Sequence, residues 1–426
     1  MMKFFTILCL AGICLSAGAD GRKNIILIMA DDMGYECVGA YGSTYSTPNL
    51  DRAAKAGVRF NHCYSTPLCT PSRVEIMTGK YNNRNYKAFG YLDPTQKTIG
   101  NLFRDAGYAT CIAGKWQLGG GASAIDGFGF DEHCLWNMIE YYDPVQGKKI
   151  KGKVEPNKRL RYWEPALFQN GAWRDQKKEE YGADVCAEFM MDFMERNKDK
   201  PFLVYYPAIL VHSPFPHTPD SPGTDQSEGQ NFADMCAYTD KVVGRLEAKL
   251  RELGLYEDTV VLFTGDNGTH GRMRTPMQDG TVIKGGKGSM TDGGTHAPLI
   301  VWGGGIEAQE PSEALIDFTD MLPTITDLAG VELPAGFETD GQSFKPVLAG
   351  EKKDVRDTIY CYYNPRWGKA SEKIWARDKE YKLYSDGRFY HVPTDVLEEN
   401  PIQQVTEKHI ATIKKLQDVL DLNVRN

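Results

Sequence analysis

Cys69-Thr70-Pro71-Ser72-Arg73 runs on to Thr78-Gly79-Lys80, and the rest of the chain is organised around this segment. By itself, a cysteine four residues before an arginine describes no more than a buried thiol beside a surface cation. Its neighbours add detail. Pro67 and Pro71 interrupt regular structure around the cysteine, because proline lacks an N–H and fixes its φ. Arg73 to Thr78 carries no breaker and should begin a helix, whose N-terminus behind the cysteine would favour an anion. Upstream, Val58 to Tyr64 has the pattern of a strand leading into the segment.

Working outward, further apolar runs end in polar residues. Asn24 to Ala30 (NIILIMA) suits a parallel strand buried on both faces, and it ends in Asp31-Asp32. Tyr108 to Ala113 leads to Gly114-Lys115-Trp116-Gln117-Leu118-Gly119. Pro201 to Val211 delivers His212, Pro214 and His217, and Thr259 to Thr264 ends in Gly265-Asp266-Asn267-Gly268. Lys287 follows within Lys284-Gly285-Gly286-Lys287-Gly288. Each tip also has an ordinary reading: a helix cap or solvated turn for the acids, a surface position for Lys115, a structural histidine for His212. Together they put four polar groups at the carboxyl ends of strands, where open α/β sheets place their sites.

Helical patterns separate these strands. Thr47 to Gly57 has Asn49 as its candidate N-cap, and Thr98 to Ala106 is a second helix. Tyr181 to Asn197 repeats Val185, Phe189 and Phe193 on one face, and Asn231 to Leu253 turns Met235, Val242, Leu246 and Leu250 inward. Pro298 to Trp302 is one more strand and Asp317 to Gly330 carries a helix. The alternation predicts an α/β domain over 20–349, a large, mostly parallel sheet sandwiched by helices. Tyr141 to Glu180 is polar, basic and aromatic without a period, an insertion over the site or a surface loop. From 350 to 426 the pattern changes to short strands, a hairpin at Asp386-Gly387, and a helix over Gln403 to Leu422 with Val405, Ile410, Ile413, Leu416 and Leu420 on one face. That is a small α+β C-terminal subdomain with an antiparallel sheet.

From Asn24 to Glu399 the chain resembles the type I, formylglycine-dependent sulfatases of the arylsulfatase type, within the alkaline-phosphatase-like superfamily. The resemblance rests on the Cys69–Lys80 segment, on Gly114–Gly119, on Gly127-Phe128-Gly129-Phe130-Asp131, and on Asp340-Gly341-Gln342-Ser343. It implies that a formylglycine-generating or anaerobic sulfatase-maturating enzyme oxidises Cys69 to an aldehyde. One hydroxyl of the aldehyde hydrate would attack sulfur, and the other would later expel sulfate. Asp31, Asp32, Asp266, Asn267 and the converted Cys69 match the ligands of one cation. Three carboxylates and an amide oxygen favour calcium, with magnesium second, over zinc. Arg73 would hold the hydrate and the metal carboxylates, Lys115 and Lys287 would clamp sulfate oxygens, and His212 would protonate or polarise the leaving oxygen. Two positions depart from the family. Gln117 stands where a histidine is usual; it can bind sulfate but cannot take a proton. Asp292-Gly293-Gly294-Thr295-His296 ends in histidine where an arginine is usual.

The resemblance points to a sulfated carbohydrate, and Gln117, His217, His270, Arg272, Arg274 and Trp367 are the candidate substrate contacts. A phosphate or phosphonate ester hydrolase and a non-catalytic binder of sulfated glycans are the alternatives; the former needs a second set of Asp/His ligands that the sequence does not offer. The net charge of -8 argues against a general nucleic-acid binder, although a local cluster of Lys and Arg suffices for an anionic substrate. Lys3, the apolar run Phe4 to Leu15 and Ala17-Gly18-Ala19 have the form of a cleaved export signal over 1–19, and no segment is long and apolar enough for a membrane span. The export signal predicts a periplasmic or secreted protein. Without Cys9, Cys14 and the converted Cys69, seven of the ten cysteines remain, so at least one is free or paired between molecules; disulfides among the others are plausible after export.

Overall fold

The computed structural model describes residues 21–150, 156–369 and 371–424; the expected export signal over 1–19 lies outside them. Ten strands make the main sheet: β1 (Asn24–Ala30), β2 (Val58–Tyr64), β3 (Ala109–Lys115), β4 (Glu132–Trp136), β5 (Phe168–Gln169), β6 (Ala172–Trp173), β7 (Phe202–Pro207), β8 (Thr259–Gly265), β9 (His296–Gly303) and β10 (Ser312–Asp317). Their order across the sheet is β10-β2-β9-β8-β1-β7-β3-β4-β5-β6. The central run β8-β1-β7-β3-β4 is parallel throughout. β9 enters antiparallel between β8 and β2, and β5 and β6 form an antiparallel edge.

β1 is apolar at every position because helices cover both faces. Ile26, Ile28 and Ala30 pack into one core with Val185, Phe189 and Phe193 of α3 (Gly182–Arg196) and Met235, Val242, Leu246 and Leu250 of α4 (Glu228–Glu252). Ile25, Leu27 and Met29 pack into the other with Val74, Ile76 and Met77 of α2 (Cys69–Thr78) and Met321, Leu322 and Ile325 of α5 (Met321–Ala329). Each of these buried side chains larger than Ala30 contributes about 1.5–3 kcal/mol of transfer free energy. β8, β1, β7 and β3 are parallel neighbours, so their carboxyl ends share one edge. At roughly 4.8 Å between strands, that edge spans only about 15 Å.

Several boundaries differ from the sequence reading. α2 starts at Cys69, not Arg73, and places the cysteine in the first turn. Pro71 is tolerated there because first-turn N–H groups have no partner within the helix. α1 (Pro48–Ala56) is preceded by Thr47 at the N-cap, while Asn49 donates from Nδ2 to the Asp240 carboxylate at 2.7 Å instead. β7 stops at Pro207; residues up to Val211 instead bond the tip of β1, with Asp31 N donating to Leu210 O and Val211 N to Asp31 O, both at 2.7 Å. All eight cysteines among the described residues are buried free thiols.

The C-terminal segment forms a four-stranded antiparallel sheet in chain order: β11 (Ile359–Tyr363), β12 (Lys373–Arg377), β13 (Tyr381–Tyr384) and β14 (Phe389–His391). The last helix, α6 (Glu407–Val424), begins four residues later than expected and buries Leu416 and Leu420 against this sheet. Val405 and Ile410, expected on the same face, are 50% and 59% exposed because the sheet meets only the later turns. A buried polar knot joins this sheet to the turn before β9. Arg377 pairs with Asp292 at 2.6 Å, Lys382 with Glu398 at 2.8 Å, and Glu398 accepts the Asp292 N–H at 3.0 Å. His296 stacks between Tyr35 and Tyr64, with centroids 4.1 and 4.9 Å away, and bonds the other oxygen of Asp292 at 2.9 Å. Arg377 thus brings a guanidinium to Asp292 from a distant strand, in a turn where His296 replaces an arginine. Among the described residues, no helix is long and apolar enough to cross a membrane.

Candidate active site

The four strand tips converge. Asp31 and Asp32 follow β1 and are fully buried, as are Asp266 and Asn267 after β8. Ligand atoms of Asp31, Cys69 and Asp266 lie within 4.8 Å of one another, and so do those of Asp31, Asp32 and His212. Lys115, at the end of β3, donates to both Asp31 oxygens at 2.8 and 2.9 Å. Gly114 allows this approach: its φ is +119, and a Cβ there would sit 2.1 Å from Pro207 O on β7. Arg73 projects from α2 to Asp266 Oδ2 at 2.9 Å and to Lys115 O at 3.1 Å, with Asp31 3.8 Å away. Lys287 reaches both Asp32 oxygens at 2.6 and 2.7 Å, and His212 Nε2 lies 3.7 Å from Asp32.

Crowding of charge sets the protonation of these groups. Burial alone would raise the Asp31 pKa, but Lys115, His212, Arg73 and Lys287 hold it well below the usual carboxylate range. Asp32 is lowered likewise against its burial, chiefly by Lys287 and His212. Asp266 goes the other way: burial and then the Asp31 charge push it up to about 7, with Arg73 and Lys115 only partly opposing. Burial brings His212 down to about 4, although Asp32 and Asp31 favour its charged form. Its Nδ1 lies 2.6 Å from the Ser213 carbonyl, which can only accept, so Nδ1 carries the proton and neutral Nε2 faces the site as an acceptor.

The donor set suits a hard cation. Asn267 donates Nδ2–H to Asp32 Oδ1 at 3.0 Å, whereas its Oδ1 is buried beside three carboxylates without a hydrogen-bond partner among the described residues. An unpaired amide oxygen in that setting is costly unless a cation or water satisfies it. Asp32 and Gln117 both have left-handed backbones, φ 64 and 55, and Asn137 joins them at φ 65. Such conformations cluster where a site constrains the chain. The Gln117 side chain is buried, and its Oε1 likewise has no partner among the described residues.

Arg161 escaped the sequence reading. It lies in the aperiodic insertion, where only a run of basic and aromatic residues marks it. Its guanidinium carbon sits 4.0 Å from the centre of the Trp136 ring, and Nη1 comes 3.8 Å from Asp31 Oδ2 without a hydrogen-bond partner among the described residues. The candidate substrate residues are more scattered. His270 packs edge-on to Phe215 with centroids 5.6 Å apart, and its lowered pKa reflects burial first and the opposing Asp32 charge second. His217 is tilted over Trp163 at 5.1 Å. Arg272 and Arg274 are exposed; Arg272 pairs with Glu228 at 3.2 Å, and Arg274 lies opposite Lys284 on a two-stranded ribbon. Trp367 is 44% exposed and faces Phe89 at 4.7 Å.

Residues 23–331 match the sulfatase family, and residues 286–416 match the C-terminal region of N-sulphoglucosamine sulphohydrolases. The chain belongs to the sulfatase family. This sulfatase is 30% identical to arylsulfatase A of Homo sapiens over 393 residues, 85% of this chain and 74% of that one. It is 30% identical to N-acetylgalactosamine-6-sulfatase of Canis lupus familiaris over 375 residues (81% and 69%), and 28% identical to steryl-sulfatase of Mus musculus over 442 residues (83% and 70%). Two solved structures share its fold. One, reported under the metabolism of multiple glycosaminoglycans by Bacteroides thetaiotaomicron, has a TM-score of 0.76 at 24% identity, covering 96% of this chain and 100% of that one. The other, in complex with its substrate D-glucosamine-2-N,6-O-disulfate, has a TM-score of 0.74 at 22% identity, covering 95% and 98%. The family membership makes the chain an enzyme of sulfate ester hydrolysis rather than a passive glycan binder.

Proposed function

We propose that this sulfatase removes sulfate from a sulfated carbohydrate, using Cys69 converted to formylglycine and one divalent cation, calcium in preference to magnesium. The observation that carries the metal is the unpartnered Asn267 Oδ1 among three buried carboxylates. Asp31, Asp32, Asp266 and Asn267 would hold the ion beside residue 69; these are hard oxygen donors of the kind calcium takes. When present, the aldehyde hydrate supplies an oxygen nucleophile for sulfur, and the ion supplies Lewis acidity.

The chain's own residues do the rest. Arg73 fixes Asp266 from α2 and would hold the hydrate on residue 69, which opens the same helix. Lys115 and Lys287 are the sulfate clamps, and Arg161 offers a third contact through its free Nη1. Lys115, Lys287, Arg73 and Arg161 set four positive charges against Asp31, Asp32 and an Asp266 that is only partly ionised near neutral pH before any cation binds. That balance suits an anion. His212 is the group that would protonate or polarise the leaving oxygen, and its neutral Nε2, 3.7 Å from Asp32, must first take up the proton it gives. Gln117 holds sulfate through its amide, so proton removal during sulfate release falls to another group.

Support for a carbohydrate comes from the relatives that act on amino-sugar sulfates. His217, His270, Arg272 and Arg274 are the proposed substrate contacts, with His270 packed edge-on to Phe215. A leader over 1–19, a catalytic domain over 20–349, a subdomain over 350–426, export and modification by a maturation enzyme complete the reading. The test couples two measurements on protein made with a maturation enzyme: the mass of the peptide bearing residue 69, and free sulfate released from defined sulfated saccharides and a steroid sulfate. An unmodified thiol in fully active protein ends the formylglycine assignment. Rapid steroid sulfate hydrolysis with none from any saccharide ends the carbohydrate assignment.

A further inference from the structure

Beside the charged cluster lies a second, open cleft of about 690 Å3, lined by Ile139, Tyr141, Lys149, Ile150, Arg159 and Trp367. It is built from two distant parts of the chain, the insertion after β4 and the loop after β11. Trp367 forms one wall. Its ring lies 4.7 Å from Phe89 at 31° and meets Tyr141 edge-on at 5.9 Å and 86°, so three aromatic rings brace one another. Ile139 and Ile150 add apolar surface, while Lys149 is exposed and Arg159 adds a second cation.

The cleft adjoins residue 69 through a short chain of contacts. Tyr141 packs so closely on Gly90 that a Cβ there would fall 2.4 Å from its ring. Gly90 N–H donates to Thr70 Oγ1 at 3.2 Å, and Thr70 follows Cys69 in the first turn of α2. The Tyr141 hydroxyl donates to Asn137 Oδ1 at 3.0 Å, and the Asn137 carbonyl accepts from Gln117 N. Arg366, beside Trp367, ties the second loop down by donating to Lys87 O at 2.8 Å. Two contacts, Thr70–Gly90 and Gly90–Tyr141, thus separate residue 69 from the Trp367 wall.

We infer that this cleft is a subsite for the sugar next to the one bearing the scissile sulfate, and that it selects a neighbour carrying a carboxylate or second sulfate. This rests on the carbohydrate reading above and deepens it. An aromatic wall with apolar flanks fits the C–H face of a pyranose, and the basic residues fit its anionic substituent. The enzyme then favours a chain of at least two sugars over a single sulfated sugar.

Binding and turnover test this separately. Cys69→Ser protein is titrated calorimetrically with sulfated monosaccharides and with uronate-containing disaccharides bearing the same sulfate. The disaccharide is expected to bind about tenfold tighter, the scale of one added aromatic contact surface. Trp367→Ala should erase that advantage, Trp367→Phe should restore part of it, and Lys149→Ala should reduce it only for the anionic disaccharide. Equal binding of mono- and disaccharide, no disaccharide binding at all, or an advantage unchanged by Trp367→Ala overturns the subsite. Sulfate release by the Cys69-containing enzyme is read in parallel. Its failure with the binding pattern intact counts against the hydrolytic reading while the subsite stands.

Discussion

Replacing Arg161 probes the one cation in the cluster that the sequence did not reveal. Arg161 is 89% buried by its side chain, since 11% remains exposed, and its Nη1 has no hydrogen-bond partner among the described residues. A buried donor left unsatisfied costs about 1–3 kcal/mol in the free enzyme. Arg161→Met keeps the aliphatic stem over Trp136 and removes that cost, so folding stability should stay within about 1 kcal/mol of the parent or rise slightly. Substrate interaction should move in the opposite direction. A hydrogen bond to a charged group contributes about 1.5–3 kcal/mol, which corresponds to roughly ten- to a hundredfold in kcat/KM at about 1.4 kcal/mol per decade. Inorganic sulfate, as a product inhibitor, should weaken by a similar factor. Arg161→Lys should recover only part of the loss, because a lysine keeps the charge but not the planar fork. The assays are free sulfate release, sulfate inhibition and urea unfolding. If Arg161→Met folds normally and both kcat/KM and sulfate inhibition stay within about twofold of the parent, Arg161 only neutralises Asp31, and the third sulfate contact is wrong.

Asn267→Ala should lower calcium affinity measured by titration at least tenfold, a modest loss for one direct ligand beside the effects known for outer-shell changes, and Asp266→Ala should abolish sulfate release; full activity after exhaustive chelation contradicts the metal reading. Asp292 tests the knot beneath β9. Burial opposes its charge, but His296 and Arg377 hold its pKa well below the unfolded value of 3.8, so its stabilising contribution is complete above that pH and fades as pH falls through it. Parent protein should therefore lose more unfolding free energy between pH 6 and pH 3 than Asp292→Asn, and equal losses refute the assignment. Arg377→Met leaves Asp292 with His296 alone and should cost about 3–5 kcal/mol, the usual result of removing one partner from a buried pair, read as a lowered urea midpoint.

What the sequence disclosed follows from which interactions are local. β1 and β8 were legible because a strand covered on both faces must be apolar at every position, and Asp31-Asp32 and Asp266-Asn267 break that rule at the same end of two such strands. Parallel pairing then forces the tips together, so the carboxylate cluster, Lys115 and His212 could be anticipated without knowing any distance. Cys69 and Arg73 were legible for a different reason: four residues along a helix return to one side, and α2 presents both toward Asp266. Arg161 and the Trp367 cleft depend instead on how irregular segments fold back over the sheet edge, and no period records that. The same limit explains Asp292. The turn before β9 carries a histidine and no arginine, yet the structure supplies a guanidinium from β12, 85 residues away in the chain. A charge that a local motif lacks can thus be restored by tertiary contact, whereas Gln117, the one feature that favoured a non-catalytic binder, is outweighed by Cys69, Arg73, Lys115, His212 and Lys287 standing together. Lys115 and Arg161 add positive charge on the Asp31 side of the cluster but accept no proton, so the base that Gln117 lacks is left to another group.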